Sequence, residues 1–169
     1  INNYLTSMLQ NIENVDTPFL WVDLYRMEEN IARLSAYFRE RKLNWRPHTK
    51  GIKIPEISKM AIEAGASGIT CAKLSEAEIM AESCIGNILI ANQVVGTSKL
   101  ERLCNLAKKI QVIVAVDDYG IAVQMANAAK LKNVSIGVLV EVNVGMDRAG
   151  VAPGFKTLDF CKRIIGLDG

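Results

Sequence analysis

The chain has 169 residues, of which 50% are hydrophobic and 22% are charged, and its formal net charge is +2. This composition is typical of a globular protein with a core, and the small net charge gives no indication of a nucleic-acid or membrane surface. No apolar run reaches the ~18 residues of a membrane span and no signal segment precedes the first element, so we expect a cytoplasmic protein. The four cysteines are far apart and there is one histidine, so we predict reduced thiols and no metal site within this chain.

Short runs of β-branched and apolar residues alternate with amphipathic stretches along the chain. The predicted strands are 17–24, 44–50, 68–73, 87–92, 111–117 and 135–144. The predicted helices lie between and after them, at 25–42, 55–64, 75–82, 98–108, 119–130 and 155–164. Pro55 suits a first helical turn, and Ser75 and Ser98 each begin a pattern typical of a capping box. Strand–helix repeats of this length indicate parallel strands joined by crossover helices.

Two architectures fit such repeats, a doubly wound sheet and a β/α barrel. A doubly wound nucleotide-binding sheet would carry G-x-G-x-x-G after its first strand, and the sequence has none. Polar residues instead follow the predicted strand ends, where barrel enzymes hold their catalytic groups. These residues are Lys50, Lys73, Asn92, Asp117 and Asn143. We therefore predict an α/β fold of the β/α (TIM) barrel type.

Two features are at odds with a complete barrel. The predicted strand 17–24 precedes the first barrel strand, and we expect it to pair elsewhere. The sequence also ends after about five predicted barrel strands, too few to close a barrel. We therefore expect an incomplete barrel that is part of a longer protein, with a segment 1–24 followed by the barrel part at 25–169.

The stretch NWRPHTKGIK (44–53) contains the only histidine and lies at the end of the first predicted barrel strand. Alternation along a strand would place Arg46, His48 and Lys50 on one side. Burial at an apolar strand end favours a neutral amine, which is the form that Schiff-base chemistry needs. The alternative is a solvated strand end whose lysines only maintain solubility, and the residues alone leave both interpretations open.

Two further loops contain candidate binding residues. In EVNVGMDRAGV (141–151), Gly145 and Gly150 permit tight turns close to a ligand, and Arg148 offers a fixed positive fork for an oxyanion. In NQVVG (92–96), Asn92 and Gln93 are polar side chains at the end of the predicted strand 87–92. The alternative for both stretches is an ordinary polar loop with a turn glycine.

The sequence resembles the D-threonine aldolase and D-serine dehydratase group of pyridoxal-phosphate enzymes, the alanine-racemase-like barrels of fold type III. The segments that carry the resemblance occur in one order: RPHTKGIKIPEI, GITCAKLSEAEIM, ILIANQVVG, VDD and VNVGMDRAGVAPG. The stretch TPFLWVDLYRMEENIARL resembles the N-terminal segment of the group, so the resemblance extends from Asp16 to the end of the chain. Within this group, the form ANQVVG is more similar to the D-threonine aldolases and 3-hydroxyaspartate aldolases.

The resemblance implies roles for individual residues. Lys50 should hold pyridoxal 5'-phosphate covalently as an internal aldimine, and Arg148 should approach the phenolic oxygen of the cofactor. His48 should lie close to the cofactor or substrate as a catalytic group. Further candidates for binding the cofactor are Arg46, Asn92 and Gln93.

Three other residues lie in or near these motifs. Lys73 is the rival of Lys50 for the covalent link, although it can equally precede a helix. Cys71 is expected to pack rather than to catalyse. Ile52 stands where the group often has a histidine, which removes one candidate acid or base.

The function implied by the resemblance is aldol cleavage of D-3-hydroxy amino acids, with D-serine dehydration or amino-acid racemisation as alternatives. A barrel that carries the cofactor without catalysis, and a Schiff-base aldolase without cofactor, are further alternatives. The resemblance also implies a homodimer, a C-terminal β-domain joined by the strand at 17–24, and a divalent metal with C-terminal ligands outside this chain. We expect no turnover from the isolated chain.

Overall fold

The computed structural model describes residues 15–169, and at their centre lies a sheet of four parallel strands. The strands, in their order across the sheet, are β1 (Ile69–Cys71), β2 (Asn87–Ile90), β3 (Gln111–Val116) and β4 (Gly137–Val140). Chain order and spatial order coincide, so each strand is added on the same side of the one before. A doubly wound sheet reverses this order at a switch point, whereas a β/α barrel does not.

Six α-helices surround this sheet within the described residues. Two of them precede the sheet, and a 3₁₀ helix at Thr49–Gly51 separates these two: α1 (Leu24–Glu40) and α2 (Pro55–Glu63). The others follow one strand each: α3 (Leu74–Glu82), α4 (Thr97–Ala107), α5 (Tyr119–Lys132) and α6 (Phe155–Ile165). None of the helices between residues 15 and 169 has the length and apolar character that a membrane span requires.

The predicted incomplete barrel is confirmed, with one strand fewer than expected. The sheet is open within the described residues, and the segment predicted as the strand 44–50 pairs with β1 only through an isolated bridge between His48 and Thr70. The Thr70 N–H donates to the Pro47 carbonyl at 2.8 Å. Pro47 has no N–H to continue the ladder, and the chain enters the 3₁₀ helix directly after His48.

The predicted strand at 17–24 does not form in the described part of the chain. Residues 15–23 have no strand structure, and α1 begins at Leu24 behind Asp23, whose carboxylate accepts from the Arg26 N–H at 3.1 Å. The side chains of Leu20 and Trp21 are exposed. Residues 1–14 lie outside the described residues, and pairing of 17–24 with another domain stays a prediction.

Both predicted capping boxes are wrong. The N-cap of α3 is Lys73 rather than Ser75, and the N-cap of α4 is Gly96 rather than Ser98, and neither helix has a side-chain cap. Each helix therefore begins earlier than its serine.

The core lies between the sheet and the helices that follow its strands. On β2 every second residue is buried, as expected when one sheet face packs on helices, and β3 follows the same alternation up to Val114, after which Ala115 and Val116 are both buried. The fully buried side chains of this cluster include Ile69, Ile88, Ile90, Leu103, Val112 and Val114. A smaller cluster centred on Trp45, whose ring stacks on Phe38 at 5.9 Å between centroids, packs α1 and α2 against the segment before His48.

Candidate functional site

The candidate site lies at the carboxyl edge of the sheet, which we define as the edge formed by the last residues of β1 to β4. Parallel strands end at the same edge, so the loops after all four strands lie there together. The turn that contains Lys50 lies beside the end of β1, because His48 bridges to Thr70 just before it. Ligands bind at this edge in barrel enzymes.

Lys50 lies in the middle of the 3₁₀ turn Thr49–Gly51. Thr49 is buried, and its Oγ1 donates to the Thr70 carbonyl at 3.0 Å, which anchors the turn to β1. The Lys50 side chain is exposed, and none of the ion pairs among residues 15–169 includes it. The predicted strand alternation of Arg46, His48 and Lys50 stops at His48, because a 3₁₀ turn does not place its residues on alternate sides.

His48 caps the same turn. Its Nδ1 accepts a hydrogen bond from the Lys50 N–H at 3.2 Å, so the neutral ring carries its proton on Nε2. His48 is exposed, and the desolvation that its neighbours still impose lowers its pKa, as does the positive charge of Lys50. Glu76 and the Thr70 backbone oppose this shift. His48 is therefore joined to the backbone of Lys50, and the roles predicted for the two side chains stay predictions.

Glu76 is a residue of this site that the sequence analysis did not find. It is a buried carboxylate in the first turn of α3, where its Oε2 accepts from the Ala72 N–H at 2.9 Å. Its Oε1 lies 3.2 Å from Nζ of Lys53. Burial alone would raise the pKa of Glu76, but the Ala72 N–H, Lys53 and Lys73 together hold it below its ordinary value. The available signal was an acidic residue in the first turn of a helix, directly after a buried strand.

Asn92 and Gln93 connect neighbouring loops of the carboxyl edge. The Asn92 Nδ2 donates to the Ala72 carbonyl at 3.1 Å, and its Oδ1 accepts from the Gln93 N–H at 3.0 Å. The Gln93 Nε2 donates to Oε2 of Glu141, after β4, at 2.8 Å. Both predicted binding residues lie at this edge with their side chains in protein contacts, and their roles as ligands stay predictions.

The loop after β4 holds Arg148 on an ordered framework. Asn143 Oδ1 accepts from the N–H groups of Gly145 at 3.0 Å and Asp147 at 3.2 Å, and its Nδ2 donates to Asp147 Oδ1 at 2.8 Å. Arg148 follows directly and is exposed. None of the ion pairs in the described part of the chain involves its guanidinium group.

Gly150 is needed by the backbone of this loop. Its N–H donates to Asp117 Oδ2 at 2.8 Å, its φ is +101°, and an added Cβ would lie 2.5 Å from the Asn143 nitrogen. The glycine therefore permits close packing of the loop on its own strand. Gly145 has open space around an added Cβ, but its φ of +115° also favours glycine.

Arg46 lies away from the other candidates, at the amino ends of the strands. Its Nη1 donates to Asn87 Oδ1 at 2.7 Å and to the Ile69 carbonyl at 3.3 Å, and these residues are the first of β2 and β1. Burial lowers the pKa of Arg46. The structure therefore gives Arg46 contacts within the fold, and cofactor binding by Arg46 stays a prediction without support from these contacts.

Lys73 and Cys71 lie at the end of β1. Lys73 is exposed and is the N-cap residue of α3, with extended backbone. Cys71 is fully buried, 3.6 Å from Oγ1 of Thr49, and burial raises the pKa of its thiol. A buried, protonated thiol agrees with the packing role expected for Cys71. Among residues 15–169 no three His, Cys, Asp or Glu side chains are grouped as metal ligands.

Comparison with known proteins identifies the family. Residues 22–169 match the family model described as alanine racemase, N-terminal domain. The crystal structure of D-threonine aldolase from Filomicrobium marinum superposes on the chain with a TM-score of 0.91 and 37% identity, covering 94% of this chain and 43% of that one.

Three curated relatives have related activities. D-threonine aldolase of Arthrobacter sp. is 37% identical over 94% of this chain and 42% of its own length. 3-Hydroxy-D-aspartate aldolase of Paracoccus denitrificans (strain Pd 1222) is 32% identical over 88% of this chain and 39% of its own length. D-threo-3-hydroxyaspartate dehydratase of Delftia sp. (strain HT23) is 29% identical over 85% of this chain and 38% of its own length. The chain thus spans about two fifths of the length of these relatives.

Proposed function

The chain belongs to the family of alanine racemase N-terminal domains, and on that premise we propose that it forms part of a pyridoxal-phosphate-dependent lyase. The proposed reaction is aldol cleavage of D-3-hydroxy amino acids. The relatives with aldolase names, at 37% and 32% identity, support aldol cleavage over dehydration, whose named relative is 29% identical.

The observation that carries this proposal is the position of Lys50. Its turn is anchored to β1 by Thr49, at the carboxyl edge of the sheet, and its ammonium group has no ion-pair partner among the described residues. A lysine that binds an aldehyde must become a neutral amine, and a carboxylate partner would oppose that change. Lys53, three residues later, is paired with Glu76, and this carboxylate would oppose its conversion to a neutral amine.

The residues of the carboxyl edge fit pyridoxal phosphate in their chemistry. Lys50 offers an amine for the aldehyde, and the exposed guanidinium of Arg148, which forms no ion pair among residues 15–169, offers hydrogen-bond donors for an anionic oxygen. When bound, the cofactor supplies an electron sink for the bond that breaks at the substrate Cα. In the proposed site Lys50 binds the cofactor, Arg148 orients it, and His48 holds a proton on Nε2 beside them.

Replacement of each candidate lysine tests the proposed link. The full-length protein, with Lys50→Ala and Lys73→Ala as separate variants, is mixed with pyridoxal phosphate, and the visible absorption band is recorded. We expect the band in the native protein and in Lys73→Ala, and its loss in Lys50→Ala. Loss of the band only in Lys73→Ala would contradict the proposed role of Lys50.

Product analysis separates the alternatives. With D-threonine, aldol cleavage gives glycine and acetaldehyde, whereas dehydration gives 2-oxobutanoate and ammonia. Racemisation gives the L-stereoisomer at Cα, and a cofactor carrier gives no product. We expect glycine and acetaldehyde, and 2-oxobutanoate would favour the dehydratase alternative supported by the Delftia relative.

A further inference from the structure

The turn that contains Lys50 is held at two ends. On one side, Thr49 Oγ1 bonds to the Thr70 carbonyl and His48 bridges to Thr70. On the other side, Lys53 has a left-handed φ of +57°, which residues other than glycine rarely adopt, and its Nζ reaches Glu76 at 3.2 Å. Two contacts therefore hold the second end of this turn: the Lys53 N–H donates to the Thr49 carbonyl at 2.8 Å within the turn, and the Lys53–Glu76 ion pair ties the turn to α3.

Glu76 is unusual for its position. A residue buried against β1 in the first turn of α3 would ordinarily be apolar, because burial of a carboxylate is costly unless it is paired and hydrogen-bonded. Both oxygens are used: Oε2 accepts from Ala72, in the loop after β1, and Oε1 pairs with Lys53. One carboxylate thus joins the loop after β1 to the turn that contains Lys50.

We propose that Glu76 is a positioning residue for Lys50. Its carboxylate holds Lys53, and through Lys53 the turn, so that the Lys50 amine is presented at the carboxyl edge. This inference rests on the proposed function, in which Lys50 binds the cofactor. Glu76 itself does not contact the reacting atoms.

Glu76 also acts electrostatically on the charged and titratable groups around it. Lys53 approaches it from the segment before α2, and Lys73 from the loop after β1. His48 and Cys71 also experience its charge. Removal of the Glu76 charge should therefore lower the pKa of His48, since Glu76 is one of the two groups that raise it.

Glu76→Gln is the informative variant, because glutamine keeps the shape and an oxygen for the Ala72 N–H but loses the charge that holds Lys53. Lys53→Met removes the other partner from a side chain that is 57% exposed. Glu101→Gln is the matched control, since Glu101 forms an exposed ion pair with Lys132 between α4 and α5. All three are made in the full-length protein, singly, and the first two also together.

Two quantities are measured: the rate at which apo-protein attaches pyridoxal phosphate at Lys50, and the pH at which the His48 ring resonance titrates in NMR, assigned with His48→Gln. We expect Glu76→Gln and Lys53→Met each to slow attachment about fivefold or more, and the double variant to be no slower than Glu76→Gln, since both act through one contact. We expect His48 to titrate at lower pH in Glu76→Gln and unchanged in Glu101→Gln.

The outcomes separate this inference from the proposed function. Native protein without attachment at Lys50 would overturn both. Two other results would overturn only the role of Glu76, provided that the native protein attaches the cofactor at Lys50. One is that Glu76→Gln and Lys53→Met attach pyridoxal phosphate as fast as Glu101→Gln does. The other is that the two substitutions slow attachment additively in the double variant. If Glu76→Gln does not fold, the rate for Lys53→Met decides, because its exposed side chain can be replaced without opening the core.

Discussion

At the scale of single residues, a proline decides where the proposed cofactor lysine lies. The Pro47 carbonyl accepts a hydrogen bond from the Thr70 N–H, but Pro47 has no N–H to donate. The segment that contains Pro47 therefore cannot form a complete ladder of hydrogen bonds with β1. The chain turns at Thr49, and Lys50 leaves the alternation that Arg46 and His48 would share with it. The strand predicted over 44–50 is therefore wrong at its end, and the roles predicted for the His48 and Lys50 side chains stay predictions.

The lowered pKa of His48 makes the stability of the protein depend on pH in a defined direction. Between the folded pKa and the unfolded value near 6.5, the unfolded chain binds more protons than the folded one, so the free energy of unfolding falls as the pH falls through this window. His48→Gln removes this contribution. We expect the melting temperature of His48→Gln to decline less between pH 7 and pH 5 than that of the native protein, and equal declines would contradict the shift.

Replacement of the two arginines of the predicted site by methionine should affect different properties: stability for Arg46 and cofactor binding for Arg148. Arg46→Met leaves the Ile69 and Asn87 acceptors without their donor, so we expect a loss of about 1–3 kcal/mol in the free energy of unfolding. Arg148→Met changes an exposed side chain, so we expect a change within about 0.5 kcal/mol, together with weaker binding of pyridoxal phosphate.

Denaturant unfolding and a cofactor titration measure both effects on the same protein samples. A stable Arg46→Met variant that binds pyridoxal phosphate poorly would restore the predicted cofactor role of Arg46. It would contradict the structural role that we infer from its contacts at the amino ends of β1 and β2.

At the scale of elements, the hydrophobic pattern located the helices well, whereas the local capping motifs misplaced the N-caps of α3 and α4. The pattern predicts 25–42 and 119–130, and the structure has Leu24–Glu40 and Tyr119–Lys132. The serines at 75 and 98 fit the local capping pattern but lie inside their helices. At the start of α3 the carboxylate of Glu76 accepts from the Ala72 N–H, one residue before the N-cap Lys73, so the acidic residue of this helix start is Glu76 rather than the Glu78 of the serine pattern.

The loop after β4 offers a test of element geometry. In Gly150→Ala the new Cβ would meet the Asn143 nitrogen at a strained φ, so we expect a loss of about 1–3 kcal/mol in the free energy of unfolding. Gly86→Ala is the control, because an added Cβ there has no neighbour within 4 Å. Denaturant unfolding of both variants measures the difference, and equal stabilities would contradict the close packing of this loop.

At the scale of the whole molecule, the order of the sheet could be predicted but its cross-sheet contacts could not. Repeated strand–helix units allow few topologies, and a parallel sheet in chain order is the simplest of them. The bond from Gln93 to Glu141 joins residues 48 positions apart, and the chain of bonds from Arg46 through Asn87 to Gln111 crosses three segments at the opposite edge. Such contacts depend on strand register, which fixes which side chains meet and is not visible in a single sequence.

The whole-molecule account depends on one covalent link at the carboxyl edge. The most direct measurement is reduction of the full-length protein with borohydride in the presence of pyridoxal phosphate, followed by mass mapping of its peptides. The account predicts a phosphopyridoxyl group on Lys50, in the peptide that contains RPHTK. Modification of Lys73 in its place, or of no lysine within residues 15–169, would contradict it.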